Sequence, residues 1–199
     1  MLIAVEGCLG VGKTTVTRGL AAHRGSTPLL EDFEANPFLR AFYSDQSANA
    51  TETEFAFLLL HFHQLKNDGQ MGNAAEVIAD FHLGKDLIYA DLNLTDPTAK
   101  RLFHDLYLFC LEKTPQPVLM IFLSATTDLL MERVRTRDRD FEQDIHREYY
   151  AAVNDAYEDY FTRYSGRKLR LAMHEWDFVK DPELYNRLST VVDAELDIK

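Results

Sequence analysis

The run LIAVEGCLGVGKTT at positions 2–15 joins an apolar, strand-like stretch, Leu2 to Glu6, directly to a glycine-rich turn and then to the start of a helical pattern. The spacing Gly7, four residues, Gly12, Lys13, Thr14 fits G-x-x-x-x-G-K-[ST], the phosphate-binding loop that sits between a strand and a helix. Gly7, Gly10 and Gly12 let the backbone take tight conformations closed to other residues, so successive N–H groups around Val11 can point at phosphate oxygens beside a helix N-terminus. Lys13 adds a mobile positive charge, the Thr14 hydroxyl is placed to ligate magnesium between terminal phosphates, and Thr15 continues the cradle.

A chain of 199 residues has room for one α/β domain with a proper core, and a single domain over 1–199 is expected. No apolar run approaches the ~20 residues that a spanning helix needs, and residue 1 opens a core strand, so the expectation is a cytosolic protein without a membrane partner. Cys8 and Cys110 are too few for a disulfide framework and are expected as reduced thiols. A net charge of −11 argues against a nucleic-acid polymer as partner, while a local electropositive loop still suits a small anion.

No repeat or Pro/Gly-rich linker divides the chain, and short apolar strands alternate with long amphipathic segments. After the first, strands are predicted at Pro28–Glu31, Glu76–Asp80, Val118–Leu123 and Leu169–Met173. Helices are predicted near Thr14–Ala22, Glu52–Lys66, Thr98–Lys113, Thr127–Arg137 and Asp144–Tyr164, the second marked by Phe55, Leu58, Leu59, Phe62 and Leu65 at a 3.6 period. The fold class is then a three-layer α/β sandwich of the P-loop NTPase kind, with a five-stranded parallel sheet covered by helices on both faces. Ligands in such folds bind beyond the carboxyl ends of the strands, which makes Glu31 and Asp80 candidates by position.

Five segments, IAVEGCLGVGKTT, LLEDFEANPFLRAFYSD, TEFAFLLLHFHQL, VIADFHLGKDLIYADLNL and RVRTRDRDFEQDIHREYY, together resemble the deoxynucleoside kinases over most of the chain. The second and last are the more specific, because phosphate loops occur in many unrelated NTPases. The resemblance implies transfer of the γ-phosphoryl of ATP, or another NTP, with Mg2+, to the 5′-hydroxyl of a deoxynucleoside, in a homodimer joined through helices. It implies Glu31 as the base and Asp80 as the acidic residue at magnesium. Tyr43 is similar to the tyrosine on the sugar 3′-hydroxyl, Glu142 to its carboxylate partner, and Phe55 to an aromatic of the base pocket.

Arg133, Arg135, Arg137 and Arg139 form the densest basic cluster of an acidic chain, and the run resembles the family's lid, at about 133–142, closing guanidinium groups over the phosphates. A solvated face neutralised by Asp138 and Asp140 is the alternative. The segment HEWDFVKDP is similar to the loop bordering the ATP adenine, although Trp176 and Phe178 also suit plain core.

Two positions depart from the family. Its third strand usually ends in an acidic residue followed by Arg, whereas Phe81 follows Asp80 here, with Lys85 the nearest replacement. Glu54 falls where many members carry a Gln that reads the base edge. An ionised Glu only accepts hydrogen bonds and would favour a base rich in N–H donors, guanine over thymine. His61 and His63 lie on different helix faces with no third ligand in sight, which argues against a metal site. The stripe Tyr149, Tyr150, Val153, Tyr157, Tyr160, Phe161 and Tyr164 reads as core with a share in a helix-to-helix surface. Two other functions stay open: a nucleoside monophosphate kinase of the thymidylate-kinase type, and a nucleotide-binding subunit without catalysis.

Overall fold

The computed structural model describes residues 1–67, 76–137 and 146–197, and within them every side chain except those of Gln46, Ser47 and Arg137. Among these residues five strands, Leu2–Glu6 (β1), Thr27–Leu29 (β2), Val77–Ala79 (β3), Leu119–Ser124 (β4) and Lys168–Ala172 (β5), pair in parallel in the order β2-β3-β1-β4-β5. β1 lies at the centre, with Ile3 opposite Ile78 on one side and Leu119 on the other. All five of its residues are buried, as a parallel strand covered on both faces demands.

The helices are Lys13–Arg24 (α1), Leu39–Ser44 (α2), Gln46–Asn67 (α3), Gly84–Asn93 (α4), Pro97–Lys113 (α5), Thr127–Arg137 (α6), Arg147–Arg163 (α7) and Leu184–Glu195 (α8), with a 3-10 turn at Phe33–Ala35. They sort into two apolar layers. On one face α1, α7 and α8 bury Leu20, Tyr157, Phe161 and Leu188 against β1, β4 and β5. On the other, α3, α4 and α5 bury Leu58, Leu65, Ala90 and Phe103 against Leu2, Val77 and Ala79. The tyrosine stripe of α7 is accordingly core, with Tyr150, Val153, Tyr157 and Phe161 buried.

Local chemistry fixes several boundaries. Asp96 caps α5 by accepting from Thr98 N–H at 2.6 Å and Ala99 N–H at 3.2 Å, with Pro97 at the first helical position. Gly25 closes α1 at φ 66°, and the Arg24 guanidinium just before it reaches Glu76, Ser189 and Asp193.

The predicted strands and five predicted helices are present, but α2, α4 and α8 were not anticipated, and α3 starts six residues before Glu52, at Gln46. β2 ends at Leu29, so Glu31 stands two residues beyond the strand and not at its end. The order reverses at β1, whose neighbours are β3 and β4, and the loops that diverge there open a crevice at the carboxyl end of the sheet.

Candidate active site

The crevice is a cavity of about 910 Å³, reached by the loop after β1, the segment after β2, the start of α4, and side chains of α3, α6 and α7. Its floor is the glycine loop. Gly7 sits at φ 146°, and a Cβ there would lie 2.5 Å from the Leu123 carbonyl oxygen, so the loop can press onto β4 only as glycine. Gly12, at φ 106°, hands the chain into α1. Lys13 extends back over the loop, its Nζ donating to Gly7 O at 2.8 Å, and burial together with the nearby Lys85 charge lowers its pKa. Gly10, Gly12, Thr14 and Thr15 line the cavity, whereas Gly7 and Val11 are buried beneath it.

Beside the loop, Thr14 Oγ1 donates to Asp80 Oδ2 at 2.6 Å, and Asp80 Oδ1 accepts the Glu31 N–H at 2.7 Å. One carboxylate thus ties the loop, the end of β3 and the segment after β2 together. A hydroxyl and a carboxylate oxygen at this spot form the hard-oxygen donor set that suits magnesium, an ion that takes most of its ligands from water and phosphate. Among the described residues no cluster of three His, Cys, Asp or Glu offers an all-protein metal cage.

Glu31, tied to Asp80 through its N–H, has its side chain 16% exposed. Its Oε1 accepts from Lys85 Nζ at 2.6 Å and lies 3.1 Å from His61 Nε2. Burial works to raise the carboxyl's pKa, but Lys85 and His61 more than reverse that and hold it well below the usual carboxylate range. A carboxylate that is ionised at neutral pH and faces a cavity is equipped to accept a proton.

At the far end of the cavity Glu54 is 3% exposed, and its Oε1 accepts from Asn93 Nδ2 at 2.8 Å, while the Tyr149 hydroxyl donates to Asn93 Oδ1 at 3.1 Å. Burial pushes the Glu54 carboxyl up to about 8. The expectation of an ionised, accept-only Glu54 is therefore corrected: near neutral pH the group keeps its proton and both donates and accepts, as Gln would. Phe55 is also corrected. It packs edge-on to Phe103 at 5.3 Å in the core under α5, and Phe57 is the aromatic of that helix lining the cavity. Two residues along a helix is a swing of about 200°, which sends the two rings to opposite sides.

Tyr43 and Lys85 line the cavity, and so do Trp176 and Phe178, which are buried as well and so fit both readings of their segment. Arg133 donates from Nη1 to Val11 O at 2.7 Å, which sets it on the phosphate loop, while Arg135 is exposed. The side chain of Arg137, and Asp138, Arg139, Asp140 and Glu142 altogether, lie outside the described residues.

His61, Asp86, Tyr89 and Asn93 were missed. Their partners lie far away along the chain, and α4, which carries three of them, was not foreseen. The one available signal was the charged pair Lys85–Asp86 inside an otherwise apolar stretch.

A glycine loop between β1 and α1, with a carboxylate beside its threonine and a second facing the same cavity, defines a P-loop phosphotransferase. The chain belongs to the deoxynucleoside kinase family, whose model matches residues 3–196. It is 26% identical to deoxyadenosine kinase from Lactobacillus acidophilus over 98% of this chain and 96% of that one. It is 31% identical to deoxyguanosine kinase from Bacillus subtilis over 78% and 76%. The structure of deoxyadenosine kinase from M. mycoides with bound dCTP superposes with a TM-score of 0.80 at 27% identity, covering 96% of this chain and all of that one. The reading as a thymidylate-kinase-type enzyme gives way to this family. Among the described residues no helix is long and apolar enough to cross a membrane.

Proposed function

We propose that this kinase transfers the γ-phosphoryl group of ATP or another NTP to the 5′-hydroxyl of a deoxynucleoside and yields the 5′-monophosphate. The observation that carries the reading is Glu31, clamped by Lys85 and facing the same cavity as the Thr14–Asp80 pair. Glu31 takes the hydroxyl proton as O5′ bonds to phosphorus and the bond from phosphorus to the departing diphosphate oxygen breaks. Lys13, with Arg133 and the lid arginines Arg137 and Arg139, carries the phosphate charge. Thr14 and Asp80 would hold magnesium, which when bound neutralises the terminal phosphates. Lys85 stands in for the arginine that Phe81 replaces. Tyr43, with Glu142, receives the sugar 3′-hydroxyl.

The base is received between Phe57, Tyr89 and the Glu54–Asn93 pair. We favour a purine there. A protonated Glu54 gives guanine no advantage over adenine, and relatives are named for each. The protein acts in cytosolic salvage and as a homodimer; the exposed Leu59 of α3 with Leu102 and Phe109 of α5 forms the joining face.

A coupled assay with Mg-ATP and the four deoxynucleosides tests this, with Lys13→Ala and Glu31→Gln as controls. Turnover of a deoxynucleoside that drops by about 10³-fold in both variants is expected. Turnover of monophosphates alone, or nucleotide binding with no transfer to any acceptor, would overturn it.

A further inference from the structure

His61 is 1% exposed, in the middle of α3, and both of its ring nitrogens face carboxylates. Nδ1 lies 2.7 Å from Asp86 Oδ1, and Nε2 lies 3.1 Å from Glu31 Oε1. A neutral imidazole carries one N–H and would turn a lone pair on one of the two carboxylates, whereas an imidazolium donates to both. The charge count agrees, since Glu31, Asp86, Lys85 and a charged His61 sum to zero, and an unbalanced buried charge would be costly.

The ring plane is fixed as well. It stacks on Phe57 at 5.4 Å with 19° between planes, and meets Phe81 at 4.8 Å, tilted by 34°. Phe81 is fully buried and has no donor, so it supplies a wall where the family resemblance expects an arginine. Two nitrogen donors reach Glu31 from two other elements, an ammonium on α4 and an imidazole on α3, and both fall on the same oxygen, Oε1.

We propose that His61 is the positioning residue for Glu31: held as an imidazolium by Asp86, it shares Oε1 with Lys85 and leaves Oε2 as the oxygen that takes the acceptor's proton. The proposal rests on Glu31 being the base. Burial alone would depress the ring's pKa, and Asp86 with Glu31 instead lifts it to about 9. The other ionisable groups around the cluster are Glu54 on α3, Glu6 at the end of β1, Asp80 after β3, Lys13 on α1, Tyr107 and Cys110 on α5 and Tyr157 on α7. Glu6, pushed up to about 7, and Glu54 titrate in the range of an activity profile, so that profile needs a readout specific to the ring.

Two measurements on the full chain test it. With nitrogen-15-labelled histidine, the His61 ring of the wild type at pH 7.5 should give two protonated nitrogens, and Asp86→Asn should convert it to a singly protonated ring. A singly protonated ring in the wild type overturns the clamp whatever the activity. In the assay, His61→Gln keeps a donor without the charge. It should lower kcat by about 10–100-fold, leave KM for ATP within about twofold, and move the acid limb of kcat up by about one pH unit. A folded His61→Gln with kcat within about twofold and an unmoved acid limb also overturns the proposal. If His61→Gln does not fold, the ring spectra of the wild type and Asp86→Asn decide alone. A doubly protonated ring that needs Asp86, in a protein that phosphorylates no deoxynucleoside, would sink the base reading while the clamp stands.

Discussion

Glu54 shows how a single carboxyl can weigh on stability and recognition at once. In the unfolded chain it ionises near 4.5, but in the fold it holds its proton up to about 8 because burial penalises the charged form. Between those values the folded state binds more protons, so the favourable contribution, complete below pH 4.5, drains away as pH rises through about 8. Glu54→Gln is neutral at every pH and keeps an oxygen for Asn93 Nδ2. Its stability relative to wild type should grow by on the order of 3 kcal/mol between pH 5.5 and 8.5 in urea titrations. A difference flat in pH would show that the carboxyl is not buried as a neutral group. The sequence placed Glu54 in the pocket by resemblance but could not supply its protonation, which depends on residues packed over it from α4 and α7. His61 was opaque for a related reason. Judged along its own helix it has only His63 nearby, while Glu31 and Asp86, 30 and 25 positions away, give it its chemistry. The loop residues were readable because backbone conformation and phosphate chemistry there are both local.

At the level of elements, every buried strand announced itself, since a parallel strand covered on both faces must be apolar throughout. α4 did not, because its first turn buries Lys85 and Asp86 and so hides the polar and apolar faces from a periodicity count. α8 fully buries only Leu188 and Val192, with Leu184 and Tyr185 packed part-buried beside them, too few to stand out from the loop before it. Much of its docking is polar. Arg24, in the last turn of α1, grips Glu76 with Nε at 2.7 Å and Nη2 at 3.0 Å, and reaches Asp193 of α8 with Nη1 at 2.7 Å. The Arg24 side chain is 10% exposed, so its removal takes the cation from Glu76, 15% exposed and left with the Ser26 hydroxyl, and from the more open Asp193. Arg24→Ala is expected to cost about 3 kcal/mol in chemical denaturation while ATP affinity holds, because the triad sits at the opposite end of α1 from the phosphate loop. A loss under about 0.5 kcal/mol would mean that α8 is held by its apolar contacts alone.

On the scale of the whole molecule, α3 faces two ways. Toward the sheet it brings Glu54 and Phe57 to the cavity and sets His61 behind Glu31, and outward it leaves Leu59 half exposed beside α5, where Leu102 and Phe109 are each 54% exposed. Phe62 and Phe109 touch across the two helices at 6.2 Å, which makes one continuous apolar face of them. Two copies that each carry a net charge of −11 repel, so any association through this face must be driven by apolar burial and opposed by charge. Salt then acts in one direction: by screening the repulsion it should tighten the dimer, and raising NaCl from about 50 to about 500 mM should lower its Kd. Sedimentation should give twice the 22.9 kDa chain mass for the wild type and a single chain mass for Leu102→Glu combined with Phe109→Glu. Because α3 carries both faces, the monomeric variant should also turn over more slowly, with the loss in kcat rather than in KM for ATP. A wild type that stays monomeric at micromolar concentration, or a dimer that persists through both substitutions, would move the interface elsewhere and free α3 to serve the active site alone.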